Sequence, residues 1–203
     1  MKITKIALLG IILFISGLGT LSAQNNSWCV VMRQGTHAET YEHKTDFPAS
    51  FISEQWKKGQ YITELTHDGK EWWVVTSAVK YTYQYYNKSK NFPSDFISAK
   101  WNEGFDITKI AYGGGEWVVV MSKGAGMSGA SWAKRGDFKE IRDFITAKWN
   151  DSKDIIDIAY GNGEWVAVLE YGAEYDKQVY RWEKSFPNTW VQDNSNKSYN
   201  ITS

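Results

Sequence analysis

Phe92-Pro93-Ser94-Asp95-Phe96-Ile97-Ser98-Ala99-Lys100-Trp101-Asn102-Glu103-Gly104 restates, without a gap, the earlier run Phe47-Pro48-Ala49-Ser50-Phe51-Ile52-Ser53-Glu54-Gln55-Trp56-Lys57-Lys58-Gly59. A third copy ends in Phe144-Ile145-Thr146-Ala147-Lys148-Trp149. A fourth, Phe186-Pro187-Asn188-Thr189-Trp190-Val191, carries Ser195 where the later Trp is expected. Repetition at a fixed period governs the whole architecture, so it is read before any local structure. The prolines of the chain, Pro48, Pro93 and Pro187, share one position of the unit, where a residue with fixed φ and no N–H suits a first helical turn. Phe47, Phe51, Ile52 and Trp56 then line one face of a short helix, which Gly59 and Gly104 end.

Outward from the helix, each unit continues with a β-prone, half-polar segment: Tyr61-Ile62-Thr63-Glu64-Leu65, Phe105-Asp106-Ile107-Thr108-Lys109-Ile110 or Ile155-Ile156-Asp157-Ile158. A tight turn follows, Asp68-Gly69-Lys70-Glu71, Gly113-Gly114-Gly115-Glu116 or Gly161-Asn162-Gly163-Glu164, in which glycine and asparagine tolerate the positive φ of a hairpin. The second strand, Trp72-Trp73-Val74-Val75, Trp117-Val118-Val119-Val120-Met121 or Trp165-Val166-Ala167-Val168-Leu169, is an unbroken apolar run, which predicts burial on both faces. After a loop of variable length a third strand carries an aromatic six residues before each unit's Phe: Tyr41, Tyr86, Trp132 and Tyr180.

The chain starts its first unit at a second strand, Trp28-Cys29-Val30-Val31-Met32, and its last segment, Tyr199-Asn200-Ile201-Thr202, reads as a first strand. Joining the two completes a fourth sheet. The expected fold is therefore mainly β with short helices: a four-repeat, closed, propeller-like ring of small antiparallel sheets over residues 24–203, each repeat adding one short helix. An open array is the rival. Residues 1–23, with Lys2 and Lys5 ahead of an apolar run that ends Leu21-Ser22-Ala23, read as a cleavable secretory signal, so the expected location is secreted or periplasmic. The apolar run is short and broken by Gly10, Gly17 and Gly19, which disfavours a membrane anchor, and no membrane span is expected after cleavage.

The 203 residues hold 23 Lys plus Arg against 23 Asp plus Glu, a balance that removes the polyelectrolyte route to nucleic acid and the polybasic route to anionic membranes. One cysteine forms no intramolecular disulfide, and Cys29 aligns with Trp73, Val118 and Val166 in the inner strand, which predicts a buried, inert thiol.

The run from Phe92 to Gly126, Phe-Pro-x-x-Phe-Ile-x-x-Lys-Trp-x-x-Gly followed by Ile-Thr-x-Ile-Ala and Glu-Trp-Val-Val-Val-Met-Ser-Lys-Gly-Ala-Gly, resembles a repeat domain of unknown function. That domain is found C-terminal to the kinase domain of plant casein-kinase-I-like kinases and in bacterial secreted proteins. The resemblance covers residues 28–203 and implies a non-catalytic accessory or binding module. No kinase activity transfers, because the chain has no Gly-rich nucleotide loop paired with a lysine, no His-Arg-Asp and no Asp-Phe-Gly. The pattern departs at Glu140-Ile141, where Phe-Pro is expected, and at Asn194 to Ser198, where the helix is degraded, so distortion is expected in those two units.

Glu71, Glu116 and Glu164 recur at the hairpin turns. Three carboxylates on one rim are a weak metal candidate for a hard cation, against the commoner outcome in which each accepts backbone N–H bonds or pairs with a lysine. His37, His43 and His67 neither recur nor take ligand spacing, Gly113-Gly114-Gly115 reads as a turn, and no cofactor is expected. Aromatics that recur across units are assigned to the core. Those that do not, Tyr81, Tyr83, Tyr85, Tyr171, Tyr175 and Trp182, lie in the variable loop and third strand and are the candidate binding residues. The expected function is a non-enzymatic module contacting a protein or polymer through those loops, with a carbohydrate-binding lectin as the alternative and a hydrolase using rim carboxylates as the third reading.

Overall fold

The computed structural model describes residues 39–173, 177–183 and 187–199. Within them the repeat takes the same form three times. Strands β1 (Glu39–Lys44), β2 (Tyr61–His67) and β3 (Trp72–Ser77) make one antiparallel sheet in the order β1-β3-β2. Strands β4 (Tyr83–Ser89), β5 (Asp106–Gly113) and β6 (Glu116–Lys123) make the second, in the order β4-β6-β5. Strands β7 (Ser128–Arg135), β8 (Asp154–Gly161) and β9 (Glu164–Tyr171) make the third, in the order β7-β9-β8. Helices α1 (Ala49–Lys57), α2 (Ser94–Asn102) and α3 (Phe138–Asn150) each join the third strand of a sheet to its first, and α4 (Asn188–Ser195) follows the third sheet.

The apolar second strand is central in every sheet and is buried on both faces, as its composition requires. Pro48, Pro93 and Pro187 stand at the helix N-caps, one step ahead of the first turn. The expected distortion of the third unit is instead an extension. Asp137 accepts a hydrogen bond from the Lys139 N–H and starts α3 early. Phe138 then packs edge-on against Trp165, as Phe47 does on Trp72 and Phe92 on Trp117. The fourth helix, expected to be degraded, forms but buries no side chain.

The sheets stack face to face. Ile62, Trp72 and Val74 of the first pack with Ala111, Val118 and Val120 of the second, while Ile107, Trp117 and Val119 of the second pack with Ile156, Val166 and Val168 of the third. Along one edge β5 lies between β2 and β8 without being hydrogen-bonded into their sheets. The approach there is close enough to demand glycine: a Cβ on Gly113 would stand 2.1 Å from the His67 Cγ, and one on Gly161 2.0 Å from the Tyr112 Cγ. Three of the four recurring third-strand aromatics seal the unit before them. Tyr86 packs on Phe47 and Trp56, Trp132 on Phe92, and Tyr180 on Phe138 and Trp149.

Three small antiparallel sheets are thus present among the described residues, not four, and they do not close into a barrel. Trp28-Cys29-Val30-Val31-Met32 and Asn200-Ile201-Thr202, predicted to complete a fourth sheet, lie outside the described residues, as does the leader 1–23. Tyr199 is described and is not in a strand. Among the described residues no helix is long and apolar enough to cross a membrane.

Candidate functional site

The stack has two rims. The hairpin rim carries the turns before β3, β6 and β9. Each recurring glutamate there meets a lysine or imidazole from the third strand of its own sheet: Glu71 Oε2 lies 2.9 Å from His43 Nδ1, Glu116 Oε2 2.8 Å from Lys88 Nζ, and Glu164 Oε2 2.9 Å from Lys134 Nζ. The glutamates therefore act within their sheets, and among the described residues no three His, Cys, Asp or Glu side chains gather as a metal ligand set. His43 also stacks on Trp73 at 4.2 Å, and His67 Nδ1 accepts the Gly69 N–H at 3.0 Å, so both described histidines serve local packing. His37 and Cys29 lie outside the described residues.

The opposite rim is built from the variable loops, and close backbone approaches make it continuous. A Cβ on Gly124 would stand 3.2 Å from the Lys80 carbonyl oxygen, and one on Gly172 2.8 Å from that of Gly126. Residues 80–82, 124–127 and 171–172 therefore touch in sequence around the rim. Three predicted binding residues sit here. Tyr83 begins β4 opposite Lys123, Tyr171 ends β9 opposite Ser128, and Tyr81 packs on Tyr61 at 6.1 Å. Tyr85 shares the Tyr83 face of β4, packs edge-on against Phe105 at 5.3 Å, and has the Lys100 ammonium 4.1 Å above its ring. Tyr83 is 64% exposed, Tyr85 44% and Tyr171 40%.

Trp182 does not join them. It stacks on Phe138 at 5.2 Å, beside Trp165 at the hairpin end of β9, whereas Tyr171 is at the other end of that strand. At 3.3 Å per residue the two ends of β9 are about 23 Å apart. An open groove beside Trp182 runs between Arg181 and Glu183 on one side and Pro187, Trp190 and Asp193 of the α4 region on the other. Tyr175 lies outside the described residues.

Beneath the loop rim is a set of charged residues that sequence reasoning missed. Glu170 is completely buried, and its carboxyl is pushed up to about 8 by burial and by the neighbouring Asp106 charge. Asp106 is itself raised to about 6 by burial, and Asp154, paired with Glu170 across the β8–β9 ladder, is also raised by burial. The Lys153 ammonium donates to Ser131 Oγ at 2.7 Å and to the Gly129 carbonyl, and lies 4.8 Å from the Tyr171 ring centre. Because no part of Glu170 reaches the surface, it contacts no ligand from solvent.

A second missed set lies where β2, β5 and β8 meet. A bulge recurs in each strand, between Ile62 and Glu64, Ile107 and Lys109, and Ile155 and Asp157, and it re-aims the residue that follows. Lys109 Nζ is 3.0 Å from Glu64 Oε2, and Asp157 accepts the Ile110 N–H through Oδ2 and the Ile158 N–H through Oδ1, both at 2.9 Å. Burial raises both carboxyls, and the Lys109 charge opposes that rise.

Two rims joined by repeated three-stranded sheets, with Tyr83, Tyr85 and Tyr171 exposed at or beside the variable loops, define a β-rich repeat protein. The chain belongs to the family described as Domain of unknown function (DUF7477), which matches residues 10–139. That match begins inside the stretch read as a leader and ends in α3. No curated protein and no solved structure matches the chain.

Proposed function

We propose that this chain is an exported, non-enzymatic binding module that engages a protein or polymer through its loop rim. The observation that carries the reading is the placement of Tyr83, Tyr85 and Tyr171, all exposed, beside loops that touch one another and differ from unit to unit. Amphipathic rings held on strands give a ligand contact area at little conformational cost, and the loops around them supply selectivity. A carbohydrate ligand is the second reading, favoured by Tyr83, whose ring carries no aromatic or cationic partner among the described residues and offers a flat face.

The test is calorimetry of the mature protein against soluble glycans and extracellular polymers and proteins. Tyr83→Ala should weaken binding about tenfold or more, with the melting midpoint unchanged. A ligand that binds Tyr83→Ala and Tyr85→Ala as tightly as the native chain places the site elsewhere. Export is checked in the same preparation, since protein recovered outside the cytoplasm should begin at Gln24.

The closed four-unit ring belongs to the same proposal. What supports it is a mismatch at the two ends of the stack. Tyr41 is 56% exposed although its counterparts Tyr86, Trp132 and Tyr180 each pack on the preceding unit, and α4, the helix of the fourth unit, buries nothing. By the repeat, the partner of Tyr41 is Phe186, which lies outside the described residues. A double-mutant cycle between Tyr41→Ala and Phe186→Ala should return a coupling of about 0.5 kcal/mol or more, whereas additive effects mean an open array.

A further inference from the structure

At two junctions between successive units a side chain grips the main chain of the unit before it. Gln84 does this for the first and second sheets: its Oε1 accepts the Ile62 N–H at 2.7 Å and its Nε2 donates to the Ile62 carbonyl at 3.0 Å. Gln178 repeats the grip on Ile155, accepting its N–H and donating to its carbonyl, both at 2.7 Å. Both glutamines stand two residues before the recurring aromatics, Tyr86 and Tyr180.

At the junction of the second and third sheets that position is Ala130, which cannot grip, and β7 is bulged there between Ser128 and Ser131. The main-chain target is Ile107, opposite Met121 as Ile62 is opposite Thr76 and Ile155 opposite Leu169. The buried indole N–H groups of Trp101 here and of Trp149 at the Gln178 junction alike have no acceptor, and only Trp56 donates, to Gln84 Oε1 at 3.0 Å, so the indole does not report on the glutamine. One feature marks the missing glutamine. Glu170 replaces Ser122, the residue that accepts from Gln84 Nε2, and its fully buried carboxyl faces the Ile107 N–H without a well-formed hydrogen bond to any described residue.

We propose that Glu170, as the neutral carboxylic acid, supplies at this junction the two-bond grip that glutamine supplies at the other two, so that this junction alone loosens when a proton leaves. A carboxylic acid and a primary amide are both planar and can each present an acceptor and a donor side by side, the acid with one O–H where the amide has two N–H, whereas a carboxylate, though a good acceptor for the Ile107 N–H, has no donor for the Ile107 carbonyl. The charged groups around it favour the neutral form on balance. Asp106 of β5 repels the anion, Asp154 of β8 stands opposite it in the ladder, and the nearby Lys153 ammonium, which favours the anion, is already engaged by Ser131 and Gly129.

Native-state hydrogen exchange on the full chain tests this, with protection factors corrected for intrinsic rates. Between about pH 6 and pH 9.5 the protection of the Ile107 amide should fall about tenfold or more, while Ile62 and Ile155 hold. Glu170→Gln should keep Ile107 protected across that range. If Glu170→Gln does not fold, the carboxyl carbon shift of Glu170 in the native chain decides. A midpoint above about 6.5, tracking the loss of Ile107 protection, is the expected result. A lower midpoint, a flat Ile107 profile, or an unchanged pH profile in Glu170→Gln overturns the proposal.

Discussion

Replacing Lys109 with methionine should destabilise the protein by about 3–5 kcal/mol near neutral pH, the largest effect expected of any single charge removal here. The ammonium is only 12% exposed and is 3.0 Å from a Glu64 carboxylate that is itself 21% exposed. It also favours the charged form of Asp157, which is 5% exposed. Methionine keeps the volume and leaves two desolvated carboxyls without a counter-charge. Their folded-state pKa values, already raised, rise further, so each must bind a proton to stay inside. A carboxyl raised above its unfolded value contributes stability that is present at acid pH and lost as pH rises toward the folded value. The deficit of Lys109→Met should therefore shrink in urea titrations at about pH 5 and widen at about pH 8. A loss below about 1 kcal/mol at both would show that the pair contributes no more than an exposed ion pair does.

Gln84→Leu should cost about 4 kcal/mol, since the change strands the buried Ile62 N–H and carbonyl and the part-buried Trp56 indole at once. Gln84 is 5% exposed, and its amide satisfies the Ile62 N–H, the Ile62 carbonyl and the Trp56 indole while also meeting Ser122 Oγ at 2.9 Å. Leucine fills the space and meets none of them. Equilibrium denaturation gives the magnitude, and loss of protection at the Ile62 amide ahead of global unfolding locates the damage at the first junction. Uniform loss of protection would mean that the sheets do not open separately at this seam.

The strand-turn-strand-helix unit was legible because it depends on features written locally: an apolar run long enough to need cover on both faces, turn residues with special φ, and prolines at one phase. For Glu71, Glu116 and Glu164 the sequence offered backbone N–H groups or a lysine as partners without saying which; Glu116 and Glu164 meet Lys88 and Lys134, while Glu71 meets His43, which recurrence did not single out. The fourth sheet rests on segments outside the described residues and remains a proposal. Glu64, Lys109, Asp157 and Gln84 look solvated because they sit in half-polar strands, and Glu170 because it falls just past the apolar run that ends at Leu169. Their burial comes from the neighbouring sheet, which no local window contains. Comparing the same column of each repeat carries the missing signal: Glu64, Lys109 and Asp157 occupy one column, and glutamine recurs in another at Gln84 and Gln178, with Glu39 and Ala130 as the exceptions. Of the six aromatics proposed for binding, Tyr81, Tyr83 and Tyr171 lie together on the rim with Tyr85 beside them, while Trp182 is held at the far end of β9 by Phe138, a contact set by the early start of α3.

The alternation of charge from Glu64 to Lys109 to Asp157 has a bearing on assembly. Units this alike can pair with the wrong neighbour, in one chain or between two, since their apolar faces are nearly interchangeable. Exchanging the second and third units would set Asp157 against Glu64, two desolvated anions in contact, with Lys109 displaced to the outside. The buried charges thus act as an ordering code along the stack, rejecting shuffled and strand-swapped arrangements that the hydrophobic surfaces alone would accept.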